Sequence, residues 1–328
     1  MASSQQMPAF PVPEVKLSSS SGHRKIPVIG LGMAVDNKDE NVMKFAVLEA
    51  IKLGYRHFDT ASMYGTEKAL GEAIIEAVRL GIVSSREELF ITSKLWSNDA
   101  HRDLVVPALK KSLRTLQMEY IDLYLIHMPI SAKPSEKYVH PISKEDILPM
   151  DFRGVWEGME ECQRLGLTKS IGVSNFSSKK IDTILAFATI PPSVNQVEMN
   201  PAWQQRKLIE FCKSKSIIVT AYSPLGAVGS SWGNNQVMSN EALKQIAKSH
   251  GKTVAQVCLR WIIEQGATVV VKSFNKERLK ENLGIFDWEL RDNDYEKINK
   301  IPQQRMMVQA QLITPDGPFK TPEKLWDD

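Results

Sequence analysis

Two stretches of the sequence decide its fold class, Ile121-Asp122-Leu123-Tyr124-Leu125-Ile126 and Ala267-Thr268-Val269-Val270-Val271. Both are nearly continuous apolar runs of strand length, which is typical of parallel strands that are buried on both faces. Parallel strands need crossover connections, and these are usually helices. We therefore expect an α/β fold in which strands and helices alternate along the chain.

Outward from these two runs, eight candidate strands recur along the chain. They lie at 28–32, 57–60, 89–94, 121–127, 170–173, 194–199, 217–222 and 268–272. Amphipathic stretches of helical spacing separate them, such as the one that contains Leu104, Leu109, Leu113 and Leu116. Eight strand and helix units in a chain of this length favour a (β/α)₈ TIM barrel. The competing fold is a doubly wound open sheet, but no Gly-x-Gly-x-x-Gly loop opens a helix after any strand.

The whole chain, residues 1–328, is expected to form a single barrel domain, with residues 1–22 flexible or peripheral. Three segments do not fit the repeating unit: Pro129 to Met150, Gly226 to Met238 and the C-terminal loop, 302–328. Long loops that follow strands lie at the C-terminal mouth of a barrel. We expect the first two segments to shape a pocket there and the C-terminal loop to cover it.

The composition is that of an ordinary globular protein, with 43% hydrophobic residues, 24% charged residues and a net charge of +3. No dense basic run is present, so we expect no nucleic-acid partner and no membrane partner. The N-terminal stretch lacks the pattern of a secretory signal. The three cysteines, Cys162, Cys212 and Cys258, suit neither a zinc knuckle nor a closed set of disulfides. These features together predict a cytoplasmic protein.

Ionisable residues stand where three successive candidate strands end. Asp59 ends the second strand, Lys94 ends the third and His127 ends the fourth. The C-terminal ends of barrel strands face the active-site mouth, whereas charges elsewhere on these strands would be buried at a cost. Tyr64 follows Asp59 after four residues. We expect the four side chains to meet at the mouth.

These four residue types suit general-acid catalysis without a metal. A lysine beside an aspartate stays charged, and a charged lysine lowers the pKa of a nearby phenol from about 10 toward neutrality. Tyr64 could then protonate a carbonyl oxygen as hydride reaches the carbon, while a neutral His127 orients that oxygen. Alone, each residue has an ordinary interpretation: a helix cap, a solvated strand end, a core histidine or a surface tyrosine. Their matched positions favour the catalytic interpretation.

The same residues lie in motifs that resemble the aldo-keto reductase superfamily. The motifs are Gly54-Tyr55-Arg56-His57-Phe58-Asp59-Thr60-Ala61 with Tyr64-Gly65, Ile91-Thr92-Ser93-Lys94-Leu95-Trp96, Tyr120 through His127, Ile171-Gly172-Val173-Ser174-Asn175-Phe176 and Asn195-Gln196-Val197-Glu198. The resemblance covers nearly everything from Ile26 to Asp328. Two further segments, 151–157 and 202–205, are similar to the plant branch with chalcone (polyketide), codeinone, methylecgonone and galacturonate reductases.

The resemblance implies an NADPH-dependent aldo-keto reductase with an intact catalytic tetrad of Asp59, Tyr64, Lys94 and His127. It also implies that the cofactor NADPH lies extended across the barrel mouth. The residues implied to contact it are Met33, Ser174, Asn175, Gln196, Tyr222, Ser223, Leu225, Lys272, Ser273, Phe274, Arg278 and Asn282.

Within this set, the family pattern assigns Ser174, Asn175 and Gln196 to the nicotinamide carboxamide and Tyr222 to stacking on the nicotinamide ring. Ser223 and Leu225 are assigned to the pyrophosphate side. As lone aromatics, Tyr222 and Phe274 could equally be packing residues.

The adenosine end of the cofactor is assigned to the segment that begins at Lys272. Two cations, Lys272 and Arg278, together with a hydroxyl suit the dianionic 2′-phosphate of NADPH, which favours NADPH over NADH. Lys276 and Lys280 lie nearby, so a solvated basic face is the alternative.

The sequence departs from the common family pattern near the pocket. Met33-Ala34 follows Gly32 where relatives carry an aromatic, Met128 follows His127 where tryptophan is frequent, and Val271 replaces a proline. Smaller or more adaptable side chains here should widen the pocket for a bulky ketone, although the methionines could simply pack. The expected pocket residues are Ala34, Trp96, Met128 and Trp203, with Trp232 as a further wall. Val271 has no interpretation from sequence.

Several alternatives remain open from the sequence. The substrate could be a small aldehyde, a sugar or a uronic acid, and a polyketide reductase of this branch would need transient contact with a biosynthetic enzyme. A barrel that only binds cofactor is disfavoured by the intact tetrad. A metal-dependent barrel is disfavoured because, of the six histidines, only His127 ends a strand. We expect a monomer that acts on a small-molecule carbonyl substrate.

Overall fold

The computed structural model describes residues 11–35, 39–135, 137–138, 141–230, 233–314 and 317–327. Its strands are β1 (Glu14–Lys16), β2 (Lys25–Pro27), β3 (Ile29–Gly32), β4 (His57–Asp59), β5 (Phe90–Leu95), β6 (Ile121–Ile126), β7 (Ser131–Ala132), β8 (Ile147–Leu148), β9 (Thr168–Ser174), β10 (Val194–Glu198), β11 (Ile218–Tyr222) and β12 (Thr268–Val271).

Helices follow the larger strands and form the outer layer. They are α1 (Glu40–Leu53), α2 (Glu67–Arg79), α3 (Val105–Leu116), α4 (Phe152–Arg164), α5 (Ser178–Leu185), α6 (Arg206–Ser214), α7 (Glu241–His250), α8 (Val254–Glu264), α9 (Lys276–Leu283), α10 (Asp292–Asn299) and α11 (Pro322–Trp326). Within the described ranges, each helix is too short or too polar to cross a membrane.

Eight parallel strands close into a barrel in the order β10-β11-β12-β3-β4-β5-β6-β9. The last barrel strand in the sequence, β12, pairs with the first, β3, through Val269 opposite Ile29 and Val270 opposite Gly30. These are the eight strands expected from the sequence, so the (β/α)₈ barrel prediction is confirmed. The carboxyl ends of all eight strands therefore face one mouth.

Strand β6 shows why a continuous apolar run is needed here. Its alternate residues Tyr124 and Ile126 join the large core between the barrel and its helices. Leu123 and Leu125 belong to a separate buried cluster. Because successive side chains on a strand point to opposite faces, both faces of β6 are buried and both must be apolar.

An antiparallel hairpin of β1 and β2 precedes the barrel. Leu17 and Ile26 from this hairpin are buried in the same cluster as Leu123 and Leu125, which places the hairpin at the closed end of the barrel. Residues 1–22 were expected to be flexible or peripheral, and the hairpin was not predicted from the sequence. The strands have three residues each, which is too short for the period of two to be detected.

Local signals define where several helices begin and end. The side chain of Asp39 accepts hydrogen bonds from the amides of Asn41 and Val42, which caps the first turn of α1. The helix ends at Gly54, whose φ of 106° is in the left-handed region that favours glycine. The next strand, β4, carries Asp59 at its end, so these caps help to determine where Asp59 is placed.

His57 lies inside the barrel wall, with 1% exposure to solvent. Its Nε2 is 3.0 Å from the hydroxyl oxygen of Thr92, and its ring packs directly on the backbone of Gly30. Burial lowers the pKa of His57 from 6.5 to about 4. The native state therefore keeps this imidazole neutral at pH values where the unfolded chain protonates it.

We predict that acid destabilises the protein through His57. Below the unfolded pKa of about 6.5 only the unfolded chain gains the proton, so stability falls until the folded pKa of about 4 is reached. The contribution is about 3 kcal/mol of the free energy of unfolding between about pH 7 and about pH 4. Urea unfolding at both pH values should show a smaller loss for His57→Gln, and His23→Gln, at an exposed histidine, is the control. An equal loss in all three proteins would contradict the prediction.

Candidate active site

The centre of the barrel mouth is a buried ion pair between Lys94 and Asp59. The ammonium of Lys94 lies 2.5 Å from Oδ1 of Asp59 and donates to the backbone oxygen of Thr60 at 2.9 Å. The Lys94 side chain has no exposure to solvent, and that of Asp59 has 4%. The pair exists because β4 and β5 run side by side, with Asp59 opposite Thr92 and Lys94 two residues further along.

The second oxygen of Asp59 also has a partner. Nε2 of Gln196, on β10, donates to Oδ2 of Asp59 at 2.7 Å. Both oxygens of this buried carboxylate are thus hydrogen-bonded, which a carboxylate away from water requires.

Tyr64 and His127 complete the predicted tetrad. Tyr64 ends a short 3₁₀ turn, Ser62–Tyr64, which begins three residues after the end of β4. Its hydroxyl lies 3.3 Å from Nε2 of His127, and the ammonium of Lys94 is 4.9 Å from the centre of its ring. Trp96 packs edge-on against His127, with ring centres 5.1 Å apart. The structure therefore brings together all four residues that the sequence placed at the mouth.

The electrostatics of the four residues are dominated by burial. Burial lowers the pKa of Lys94, but the negative charge of Asp59 and the contact with Tyr64 outweigh it, so the net pKa is raised and Lys94 stays charged. Burial raises the pKa of Tyr64, and the charge of Lys94 only partly offsets this. The net direction is opposite to that expected from Lys94 alone, because the phenol loses its contact with water. At neutral pH the phenol is therefore protonated, as a proton donor must be.

Asn175 connects several of the residues implied to hold the nicotinamide. Its amide nitrogen donates to the backbone oxygen of His127 at 3.0 Å and to the hydroxyl of Ser174 at 3.2 Å. The hydroxyl of Tyr222 donates to its Oδ1 at 2.7 Å. Asn175 adopts a left-handed backbone conformation, with φ of 66°, which few residue types accept readily.

The same amide nitrogen also contacts the sulfur of Met128 at 3.2 Å. Met128 follows His127 directly and is buried. The network of Asn175 thus extends from the group implied to bind the nicotinamide to a residue that was predicted to line the substrate pocket.

The segment after β12 forms the other end of the predicted cofactor groove. Lys272 and Arg278 are exposed, while Ser273 between them is buried and lies 3.4 Å from Nε of Arg278. In the described part of the chain neither cation pairs with a carboxylate, whereas Lys276 lies 2.8 Å from Glu49. Asn275 caps α9 here. Two unpaired cations at a helix N-terminus fit a phosphate group.

The remaining residues implied to contact the cofactor have varied surroundings. Met33 is fully buried in the main core, and its amide donates to the backbone oxygen of Asp59 at 2.9 Å. Leu225 and Phe274 are half-buried against the same core, and Asn282 is buried on α9. Ser223, which follows β11 directly, adopts a left-handed conformation with φ of 50°.

Val271, which sequence alone did not explain, ends β12 and packs into the main core opposite Leu31. Its position accounts for an apolar residue but not for the absence of proline.

A third apolar cluster lies over the tetrad, and we call it the mouth cluster. Its buried members are Trp96, Met128, Ile130, Ala132, Ile142, Ile147, Leu312, Leu325 and Trp326. It combines residues that follow β5 and β6 with the last part of the chain. Two predicted pocket residues, Trp96 and Met128, therefore belong to the same buried cluster as residues of the C-terminal loop. Ala34 is exposed and Trp203 is half-buried, while Trp232 lies outside the described residues.

The C-terminal loop is held over the mouth by polar contacts that the sequence did not reveal. The buried carboxylate of Glu198, at the end of β10, accepts the amides of Met306 and Met307 at 2.9–3.1 Å. The guanidinium of Arg305 lies 4.8 Å from the ring of Trp203 and 4.2 Å from that of Trp326.

The end of the described chain is anchored as well, because Asp327 forms an ion pair with Lys180 and accepts from Ser177. The sequence signal that could have found these contacts is the strand-end position of Glu198. The motif that contains Glu198 does not by itself identify these partners.

Among the described residues, no group of three or more His, Cys, Asp or Glu side chains is arranged to hold a metal ion. The donors that do converge at the mouth are an ammonium, a phenol, an imidazole and several amides. These groups suit hydrogen bonding to a carbonyl and to a carboxamide.

Comparison with known proteins identifies the family of the chain. The profile of the Aldo/keto reductase family matches residues 28–303. The chain is 57% identical over 316 residues to (1S)-1,7-diacetoxy-luvungin A aldo-keto reductase of Citrus sinensis, covering 96% of this chain and 98% of that protein. It is 57% identical over 302 residues to deoxymugineic acid synthase 1 of Zea mays, covering 92% and 96%.

A third relative, NADPH-dependent codeinone reductase 1-4 of Papaver somniferum, is 56% identical over 318 residues, covering 97% of this chain and 98% of the relative. Among solved structures, Bombyx mori aldo-keto reductase in complex with NADP is similar, with a TM-score of 0.83 and 37% identity. That match covers 92% of this chain and 97% of the silkworm protein. With this fold, this mouth and these relatives, the chain belongs to the Aldo/keto reductase family.

Proposed function

We propose that this protein reduces a carbonyl compound to an alcohol with NADPH, and that Tyr64 is the proton donor. The observation that carries the proposal is the position of Tyr64, whose hydroxyl lies 3.3 Å from His127 while its ring adjoins the buried Lys94 and Asp59 pair. A protonated phenol and an imidazole that share one small space can both hydrogen-bond one carbonyl oxygen. The family's implied tetrad falls on the same four residues.

In this mechanism each residue has a distinct task. NADPH supplies the hydride when it is bound. Tyr64 delivers the proton to the carbonyl oxygen, and His127 orients that oxygen by a hydrogen bond. Lys94 stays charged because Asp59 is beside it, and its charge stabilises the phenolate left after proton transfer.

The cofactor assignment has support from the chain and from its relatives. Lys272 and Arg278 present two cations without carboxylate partners in the described part of the chain, next to the capped start of α9. Such an arrangement suits the 2′-phosphate that distinguishes NADPH from NADH. One relative is named as NADPH-dependent, and one structural neighbour was crystallised with NADP.

For the substrate we propose a bulky ketone of specialised metabolism. The mouth cluster is apolar, and Met128 provides an adaptable side chain where a rigid tryptophan is frequent in the family. Relatives named for a luvungin A derivative and for codeinone share 56–57% identity with this chain. We also propose that the protein acts in the cytoplasm as a single-domain monomer.

A panel assay tests the proposed function as a whole. Purified protein is given NADPH with carbonyl compounds that range from small aldehydes and galacturonate to alkaloid and steroid-like ketones, and loss of NADPH absorbance is followed. Turnover of large ketones in preference to small aldehydes supports the proposal. Turnover confined to small aldehydes or sugars contradicts the substrate class, and no turnover with any compound contradicts the reductase assignment.

Tyr64→Phe should remove the proton donor without touching the cofactor groove. We expect the turnover number to fall by roughly 10²- to 10⁴-fold, while the dissociation constant for NADPH, measured by fluorescence titration, stays within about twofold. Tyr120→Phe, at a tyrosine near the closed end of the barrel, serves as control. Turnover close to the wild-type value in Tyr64→Phe would refute the role of the phenol.

Arg278→Ala should weaken NADPH binding far more than NADH binding, because only NADPH carries the 2′-phosphate. A charge-assisted hydrogen bond contributes about 1.5–3 kcal/mol, so we expect roughly 10- to 100-fold weaker NADPH binding. Lys280→Ala, an exposed cation on the same helix, is the matched control. Equal weakening of both cofactors would show that Arg278 does not bind the 2′-phosphate.

Met128→Trp tests the proposed pocket. A rigid indole in the mouth cluster should raise the KM for bulky ketones by roughly tenfold or more, while the KM for small aldehydes changes little. Steady-state kinetics with one substrate of each size decide the matter. If both substrates are affected to the same extent, Met128 does not control the size of the pocket.

A further inference from the structure

Gln196 contacts the predicted catalytic machinery directly, in addition to its implied contact with the nicotinamide carboxamide. It lies in the middle of β10, has 3% exposure and donates from Nε2 to Oδ2 of Asp59 at 2.7 Å. The other oxygen of Asp59 accepts from Lys94 at 2.5 Å. Asp59 is thus held between a donor on the neighbouring strand β5 and a donor on β10, which lies across the barrel from β4.

The carboxylate determines which way the amide of Gln196 points. An ionised carboxylate only accepts hydrogen bonds, so it can face the NH₂ group of Gln196 but not its oxygen. Rotation of the amide would place two oxygens against each other in a buried site, at a cost. The orientation of Gln196 is therefore coupled to the charge of Asp59.

The hydrogen bond also acts on Asp59. With Oδ2 held by Gln196, only Oδ1 is left to meet the ammonium of Lys94. A carboxylate with an unsatisfied oxygen would rotate to share both oxygens with the ammonium of Lys94, and Lys94 would move with it. Lys94 would then lie differently relative to the ring of Tyr64, which is now 4.9 Å away.

We propose that Gln196 is a positioning residue for the acid and base chemistry: it holds Asp59 so that Lys94 stays beside the phenol of Tyr64. The proposal rests on the function proposed above, in which Tyr64 donates the proton. In this proposal Gln196 has two roles: its side-chain amide contacts the nicotinamide carboxamide, and it also holds Asp59, which positions Lys94 beside the proton donor Tyr64.

The charges around the phenol give the direction of the effect. Burial raises the pKa of Tyr64, the charge of Lys94 lowers it and the charge of Asp59 raises it. A hydrogen bond from Gln196 compensates part of the charge of Asp59. The titratable groups that surround the phenol and Asp59 are His57, Lys94, His127 and Tyr222.

The test is Gln196→Met, which keeps the length of the side chain and removes the donor. Without the hydrogen bond from Gln196, the negative charge of Asp59 is less compensated and raises the pKa of Tyr64 further. Turnover needs a protonated phenol, so it falls as pH rises through that pKa, and the alkaline limb of the pH profile of kcat should move up by roughly half a pH unit or more.

Asn195→Leu is the matched control, because Asn195 is buried on the same strand but donates to the backbone oxygen of Phe176 at 2.9 Å. A merely structural role for strand β10 would affect both variants equally. We expect the alkaline limb of Asn195→Leu to match that of the wild type.

A second measurement keeps this inference separate from the proposed function. The titration of Tyr64 can be followed by NMR of ¹³C-labelled tyrosine in protein without cofactor, with the signal assigned through Tyr64→Phe. A higher midpoint in Gln196→Met than in the wild type supports the proposal even if no carbonyl substrate has been found. An unchanged midpoint and an unchanged alkaline limb, together with weaker NADPH binding by fluorescence titration, would show that Gln196 only holds the cofactor.

Discussion

A lysine without exposure to solvent can stay charged only if an acid is buried beside it, and Lys94 meets this condition through Asp59. Removal of either partner would leave an uncompensated buried charge, which typically costs about 3–5 kcal/mol. The barrel provides the geometry, because β4 and β5 are neighbours in register and both residues lie near the carboxyl ends of their strands. The turn that carries Tyr64 and the amide of Gln196 are both arranged around this pair.

The mouth is built by segments that are far apart in the chain. The strand ends carry the polar residues of the mouth. The mouth cluster covers them, and it consists of residues that follow β5 and β6 together with residues of the C-terminal loop. Glu198 ties that loop to β10 through the amides of Met306 and Met307. Substrate selection by such a site depends on how three loops pack together, whereas the proposed chemistry depends on three strand ends and the turn that carries Tyr64. Substrate selection and the proposed chemistry can therefore vary separately within one fold.

Much of the fold could be predicted because each barrel strand carries its own signal. The run from Ile121 to Ile126 is apolar at every position except Asp122, and that aspartate is paired with Arg24 and Arg86. The hairpin of β1 and β2 could not be predicted, since three-residue strands have no detectable period. The strand-end positions of Asp59, Lys94 and His127 predicted a shared site, because all parallel strands of a barrel end at one mouth.

What the sequence determined by itself is thus the barrel and the four residues that meet at its mouth, because these depend on local pattern and on positions at or shortly after strand ends. The tertiary structure alone decided the net pKa direction of Tyr64, since burial outweighs the nearby lysine. It alone decided that Asp59 is shared between Lys94 and Gln196, and that Trp96 and Met128 lie in one buried cluster with Leu325 and Trp326. The physical reason is that desolvation and packing depend on residues distant in the chain, and neither the hydrophobic periodicity nor a local motif indicates which distant residues will meet.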